Sequence, residues 1–178
     1  MITQLNATYV PLEDRVLFKL NTVDSNEFRL WLTRNMVQEI MNLCCAAAVK
    51  FEELKHPAAQ AKSIAEFKQQ AVEQTTTFSQ YKPAAVCPLG EDPILVNKLQ
   101  MRIEGGQYVL IFGLVIGKDL TLRLNDDLLA KTRLLLNTIQ EKARWMLTSN
   151  ASPQLTNQQS TQSESSQISG AEAAKLIH

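Results

Sequence analysis

Few side chains in this chain are of the types that carry out catalysis or bind metals. There are two histidines. His56 directly precedes a proline and His178 is the last residue, so a histidine-based triad or metal site is poorly supplied. The pair Gly105-Gly106 fits neither phosphate-loop pattern, G-x-x-x-x-G-K-[ST] or G-x-G-x-x-G. The sequence therefore predicts no catalytic residue, no metal ligand and no cofactor.

The cysteines and the paired carboxylates have structural explanations as well. Cys44 and Cys45 are adjacent and lack C-x-x-C spacing, and with Cys87 they make an odd number, which indicates free thiols, the adjacent pair being buried. The acids of Glu52-Glu53 lie near a predicted helix end. Those of Asp126-Asp127 lie at a helix start, where acids are stabilising without any function. We therefore expect a protein that is not an enzyme.

The clearest structural signal is a three-stranded meander over residues 99–124. Gly105-Gly106 and the later turn at 117–119 divide it, and Gly-Gly suits a two-residue hairpin because both positions can take positive φ. Its middle strand, residues 108–116, is apolar on both faces. Such a strand belongs in the centre of a sheet, and its second face must be at least partly covered.

The other elements are predicted from changes in hydrophobic period. After a lead-in of residues 1–14, we expect strands at 15–21 and 28–33, a helix capped by Thr33 to residue 54, and a second helix at 58–72. Whether the two helices form a hairpin or one kinked rod stays open. A connection at 78–93, packing through Tyr81 and Val86, leads to the meander, and a last helix covers 126–147. This predicts an α+β fold with about five strands in a mainly antiparallel sheet, in the order ββα(α)βββα.

Composition predicts one domain and a tail. Residues 1–149 are expected to form the domain, and residues 150–178, rich in Ser, Gln and Thr, to be disordered. Eighteen basic residues balance eighteen acidic ones, so the net charge does not attract nucleic acid or an anionic membrane. The first residues lack a signal-peptide pattern, and no apolar run reaches the roughly 18 residues of a membrane span. We expect a soluble, cytoplasmic protein.

The sheet face opposite the core is the candidate interaction face. Eight residues of this face are candidates for an interaction: Arg29, Trp31, Lys98, Arg102, Val109, Ile111, Val115 and Arg123. Four of the eight are cations, and Lys19 on the same face is a fifth. Two hypotheses follow. The face is covered by a long helix or by a second subunit, or it binds single-stranded nucleic acid through stacking on Trp31 and contacts to phosphates. The β-branched middle row favours the first, because stacked bases require aromatic residues there.

One stretch resembles a known group of sequences. EFRLWLTRN, residues 27–35, resembles a hairpin-into-helix segment of small, uncharacterised bacterial proteins in which two basic residues follow Leu-Thr; here Asn35 occupies the second basic position. The resemblance covers about the first quarter of the chain and implies no activity. Arg29 and Arg34, near a strand end, could bind a carboxylate or phosphate, although surface solvation or ion pairing explains them as well.

The sequence therefore predicts a non-enzymatic interaction module, a homo-oligomer assembled through the sheet face or the long helices. Two alternatives stay open: a single-stranded nucleic-acid-binding protein that uses the basic face around Trp31, and an enzyme with an unrecognised site in the 78–93 connection.

Overall fold

A computed structural model describes residues 1–145. The predicted tail, residues 150–178, lies outside the described residues. The predicted end of the last helix at residue 147 is wrong: the helix ends at Lys142, with Ala143 as its C-cap and Arg144 at a φ of +52°, a left-handed conformation that ends an α-helix. Six strands form one sheet in the order β1-β2-β3-β4-β5-β6. The strands are β1 (Ile2–Val10), β2 (Arg15–Thr22), β3 (Glu27–Thr33), β4 (Ile94–Glu104), β5 (Gln107–Leu114) and β6 (Asp119–Leu124), and the helices are α1 (Arg34–Glu53), α2 (Ala58–Thr75) and α3 (Asp126–Lys142).

The sheet consists of two antiparallel meanders, β1-β2-β3 and β4-β5-β6. They join through a short parallel contact, in which Leu30 pairs with Ile94 and Trp31 with Leu95. Each meander is followed directly by a helix, so that the order of elements βββα occurs twice, with α2 inserted between the copies. The sheet is therefore mixed.

Side-chain caps explain why a helix begins where each meander ends. The hydroxyl of Thr33 accepts a hydrogen bond from the Met36 N–H (3.3 Å), and the side chain of Asn125 accepts one from the Leu128 N–H (2.8 Å). Each cap satisfies one of the free N–H groups of the first helical turn. The predicted Thr33 cap is confirmed.

The α+β class and the order of the predicted elements are confirmed, but the five-stranded, mainly antiparallel sheet is wrong. Residues 1–14, expected to be a lead-in, contain β1, which pairs antiparallel with β2 over most of its length. A register shift between Ile2 and Gln4 interrupts its alternation, and this irregularity hides the strand in the sequence. The Gly105-Gly106 hairpin is confirmed, with φ of +57° and +72° at the two glycines.

The core lies between the inner face of the sheet and the helices. Phe18 on β2 and Phe112 on β5 approach to 6.3 Å between ring centroids, although two strands separate them in the sheet, so the sheet curves around the core. The helices α1 and α2 pack on one another, and Lys68 on α2 binds Glu52 on α1 (2.6 Å). They are separate packed helices, which answers the question of one rod or two.

The three cysteines are free thiols. Cys44 is buried and burial raises its pKa to about 12, whereas Cys45 is exposed. The expectation that both members of the pair are buried is wrong, because adjacent residues on a helix point about 100° apart and only one faces the core. No helix within residues 1–145 is long and apolar enough to cross a membrane.

Candidate interaction surface

The strand register aligns four outward-facing residues across the first four strands. Thr8 pairs with Leu17, Leu17 with Trp31, and Trp31 with Leu95. Trp31 lies between Leu30 and Leu32, which are both fully buried on the inner face, so alternation directs Trp31 outward. Leu17, Trp31 and Leu95 are partly exposed.

Val115 extends this row to the fifth strand. Its N–H donates to the Leu95 carbonyl (3.1 Å), and its side chain is 52% exposed. The strand β5 ends at Leu114, two residues before the predicted end, and the chain turns there, leaving Ile116 49% exposed as well. We call the five aligned residues Thr8, Leu17, Trp31, Leu95 and Val115 the Trp31 row.

One side of the outer face is covered by the connection between α2 and β4. Glu27 on β3 has a fully buried side chain and binds Arg29 (2.5 Å). The Ala84 N–H and the Tyr81 hydroxyl also donate to Glu27, at 3.1 and 2.9 Å. Burial alone would raise the pKa of Glu27, but these hydrogen bonds outweigh burial and the pKa is lowered. Glu27 therefore holds the connection against the sheet as a carboxylate.

Further contacts fasten the same connection. Asn21 donates to the Lys82 carbonyl (2.7 Å), and Arg29 donates to the Glu91 carbonyl (2.8 Å). Tyr81 is partly buried, as predicted, and burial and then Glu27 raise its pKa. The side chain of Val86 is 51% exposed, so the expectation that it packs is wrong; Val86 bonds through its backbone to Ser25 and Glu27 instead.

The cations on the C-terminal meander form a second group. Arg102 and Arg123 pair with the two sides of Val109 in the register, and both bind Glu104, at 3.5 and 3.6 Å. Val109 is completely buried although it faces outward, because long arginine side chains cover apolar surface with their methylene groups. This part of the face is closed by its own side chains.

The remaining positions are less tightly held. Ile111 is partly exposed between Gln100 and Thr121. Lys98 faces Gly113, and no carboxylate within residues 1–145 forms a salt bridge with it. All eight predicted residues therefore lie on the outer side of the sheet, but in separate rows. Three of them, Trp31, Val115 and Arg29, belong to or border the Trp31 row.

Two features were not predicted from the sequence. The first is a cleft of about 1050 Å³ between the edge strands β1 and β6 and the start of α3. Apolar residues of all three elements line it, among them Ile2, Leu5, Leu120, Leu122, Leu128 and Leu135. It exists because the curved sheet brings its two edges to one side of the molecule, and the sequence carries no signal for that curvature.

The second feature is a polar cluster where the three helices meet β5, in which Glu52 and Tyr108 are buried and Lys68 and Asp126 are about half exposed. Lys68 bridges Glu52 (2.6 Å) and Asp126 (3.5 Å), and Tyr108 donates to Asp126 (2.9 Å). Burial, and then Asp126, raise the pKa of Tyr108. Glu52 and Asp126 appear in the sequence as members of acidic pairs, but only the fold shows that α2 carries a lysine to them.

No group of three or more His, Cys, Asp and Glu side chains within the described residues has an arrangement that could hold a metal ion. The chain was compared with protein-family models, with curated proteins and with solved structures, and none of the three comparisons found a match.

Proposed function

We propose that this chain is a protein–protein interaction module that forms a homodimer through the Trp31 row. The observation that carries the proposal is the alignment of Leu17, Trp31, Leu95 and Val115 on the exposed face of four neighbouring strands. Tryptophan flanked by aliphatic side chains is typical of the centre of a protein interface. Polar residues border the row, as they border interface centres.

Charge favours a second copy as the partner. Three of the five cations assigned to the face form ion pairs within the chain: Arg29 with Glu27, and both Arg102 and Arg123 with Glu104. The two carboxylates balance two of the five positive charges, which reduces the attraction of the face for an acidic protein or a phosphate backbone. An apolar row is complementary to itself, and a twofold dimer buries the same patch on both subunits.

The same ion pairs weaken the nucleic-acid hypothesis. A fourth cation, Lys19, lies 5.7 Å from the centre of the Tyr81 ring, which leaves Lys98 as the cation of the predicted face without such a contact in the described part of the chain. Phosphate binding gains affinity by releasing counterions from the nucleic acid, in proportion to the number of phosphates neutralised. Because Glu27 and Glu104 balance two of the five positive charges, the face would bind a phosphate backbone more weakly than its cations alone suggest.

The proposal is tested by changing Trp31 to Glu and measuring the mass of the full-length protein across a concentration series by sedimentation. We expect a dimer for the wild type. For W31E we expect the dimer dissociation constant to rise by at least about 30-fold, because burying a carboxylate at an interface centre costs more than the loss of a hot spot of about 2 kcal/mol. The fold should persist, because Trp31 faces away from the core.

Phe67 on α2 provides the matched control. It is 71% exposed and lies on a helix, so F67E tests assembly through the long helices with the same chemical change. We expect F67E to dimerise like the wild type. A monomeric wild type, or a dimer that F67E disrupts and W31E does not, would contradict the proposal.

A further inference from the structure

A small cavity lies where α1, α2 and α3 meet. Its volume is about 30 Å³, and polar side chains from all three helices contribute to its lining: Glu52 from α1, Gln69 from α2 and Arg133 from α3. The rest of the lining combines Lys68, Asp126 and Tyr108 with the apolar residues Ala48, Ala65, Leu129 and Ala130. Glu52 is 2% exposed and Gln69 is 7% exposed, so these two polar groups are withdrawn from bulk solvent.

Each of the three helical residues has one buried polar atom without a hydrogen-bond partner among residues 1–145. These atoms are Glu52 Oε2, Gln69 Oε1 and Arg133 Nε. His56 Nε2 lies 3.7 Å from Glu52 Oε2, which is too long for a hydrogen bond. A buried polar atom left unpaired costs about 1–3 kcal/mol, so three around one cavity indicate a ligand.

The other polar side-chain atoms of Glu52 and Gln69 are already bonded, which fixes the orientation of these two side chains. Lys68 donates to Glu52 Oε1 (2.6 Å), while Gln69 Nε2 donates to Glu73 (2.9 Å) and to the Ala130 carbonyl (3.3 Å). The amide oxygen of Gln69 is therefore the group left to accept. The cavity offers two acceptors, Glu52 Oε2 and Gln69 Oε1, and one donor, the Arg133 Nε–H.

We propose that this cavity binds a single water molecule that links the three helices. A water donates two hydrogen bonds and accepts up to two, which matches two acceptors and one donor, and the cavity exceeds the roughly 10–15 Å³ that one water requires. A cation would meet the charges of Arg133 and Lys68, and an anion those of Glu52 and Asp126. Two acids against two bases favour a neutral ligand.

The water matters most for the attachment of α2. This inserted helix buries Ala61, Ala65 and Gln69, so it contributes little apolar surface to the core. Its polar contacts, Lys68 to Glu52 and Gln69 to the Ala130 carbonyl, lie beside the cavity. The bound water adds a link from Gln69 to both neighbouring helices.

A high-resolution crystal structure of the full-length protein, with one crystal soaked in a rubidium salt and another in a bromide salt, tests the identity of the ligand. We expect one density peak at roughly 2.7–3.2 Å from the three atoms, without anomalous signal in either soak. A rubidium or bromide signal at that position, or no density there, would overturn the proposal.

Oxygen-17 relaxation dispersion counts long-lived waters in solution and supplies the second test. The variant Gln69→Leu removes one acceptor, and we expect one fewer long-lived water than in the wild type. The control is Thr22→Val, because the Thr22 hydroxyl is also buried without a partner but lines the cleft between the edge strands. T22V should keep the wild-type number of long-lived waters at this cavity. An NMR signal between water and the Arg133 Hε proton identifies the water that is bound there. Retention of that signal in folded Q69L would refute the inference.

Discussion

Two carboxylates on the outer face of the sheet bind arginines, one in each meander, and their surroundings differ. Glu27 in the N-terminal meander has a fully buried side chain, whereas the side chain of Glu104 in the C-terminal meander is 50% exposed. Glu27 accepts from Arg29 and from two groups of the 76–93 connection. Glu104 accepts only ion-pair contacts, from Arg102 and Arg123.

A pair of Glu and Arg side chains therefore affects stability differently when the carboxylate is buried and when it is exposed. An exposed pair is screened by water and contributes up to about 1 kcal/mol. A buried carboxylate with several donors cannot lose them without leaving charged or polar groups unpaired. Glu27 therefore fixes a segment of chain, whereas Glu104 forms weak, solvent-exposed ion pairs with the two arginines that flank Val109.

The largest expected effect is on replacing Glu27 by Ala. We expect E27A to lower the free energy of unfolding by about 2–3 kcal/mol, because Arg29, Tyr81 and the Ala84 N–H lose a charged acceptor. Urea unfolding of the purified protein measures the change. Amide exchange should also accelerate in the 76–93 connection, since Glu27 holds it to the sheet.

The equivalent substitution in the other meander is the control. E104A removes a carboxylate from two arginines, and we expect it to cost less than about 1 kcal/mol and to leave exchange in the connection unchanged. Equal losses of stability for E27A and E104A would show that burial does not separate the two carboxylates in the way proposed.

The pH dependence of stability tests whether Glu27 is ionised in the folded protein. The pKa of Glu27 lies below its ordinary value of 4.5 in the folded chain, so the folded state binds the proton less readily than the unfolded state. Its contribution to stability is present above about pH 4.5 and is lost as pH falls below that value toward the folded pKa. The expected effect is a steeper loss of stability with acidification in the wild type than in E27Q.

Urea unfolding at several pH values between about 3 and 6 measures this slope. Other carboxyl groups contribute to the slope in both proteins, so the difference between wild type and E27Q isolates Glu27. An E27Q slope equal to that of the wild type would contradict the assignment of Glu27 as the ionised anchor.

The sequence predicts well those elements that are determined by their own residues rather than by contacts with distant parts of the chain. The Gly-Gly turn, the Thr33 cap and the alternation of β6 are local features, and each appears in the structure. The strand β1 carries a weaker alternation, with Leu5, Ala7 and Tyr9 on one face, that a register shift and polar Asn and Gln residues obscure. The parallel β3–β4 contact consists of two residue pairs, which is too short to leave a pattern.

Local sequence patterns also predict part of the outer face. Alternation alone places Trp31, Arg102 and Arg123 outward, and the structure agrees. The acids that pair with Arg29 and Arg102 are local, because Glu27 and Glu104 each lie two residues away on the same strand. The burial of Glu27 depends on long-range contacts, since Tyr81 and Ala84 reach it from more than 50 positions away in sequence.

The smallest expected effect concerns the two helix caps, which occupy equivalent positions in the two meanders. The bond to Asn125 is shorter than the bond to Thr33, 2.8 against 3.3 Å, and α3 has Asp126 and Asp127 in its first turn where α1 has no acid.

Replacing a cap by Ala costs about 0.5–2 kcal/mol. We expect N125A to cost about 1 kcal/mol and T33A less, as measured by thermal or urea unfolding. Because Asp126 also receives the Tyr108 hydroxyl and contacts Lys68, loosening the start of α3 disturbs the polar cluster. Loosening the start of α1 does not reach the cluster, because Glu52 lies at the opposite end of that helix. A greater loss for T33A than for N125A would show instead that the N-terminal helix depends more on its cap than on its packing.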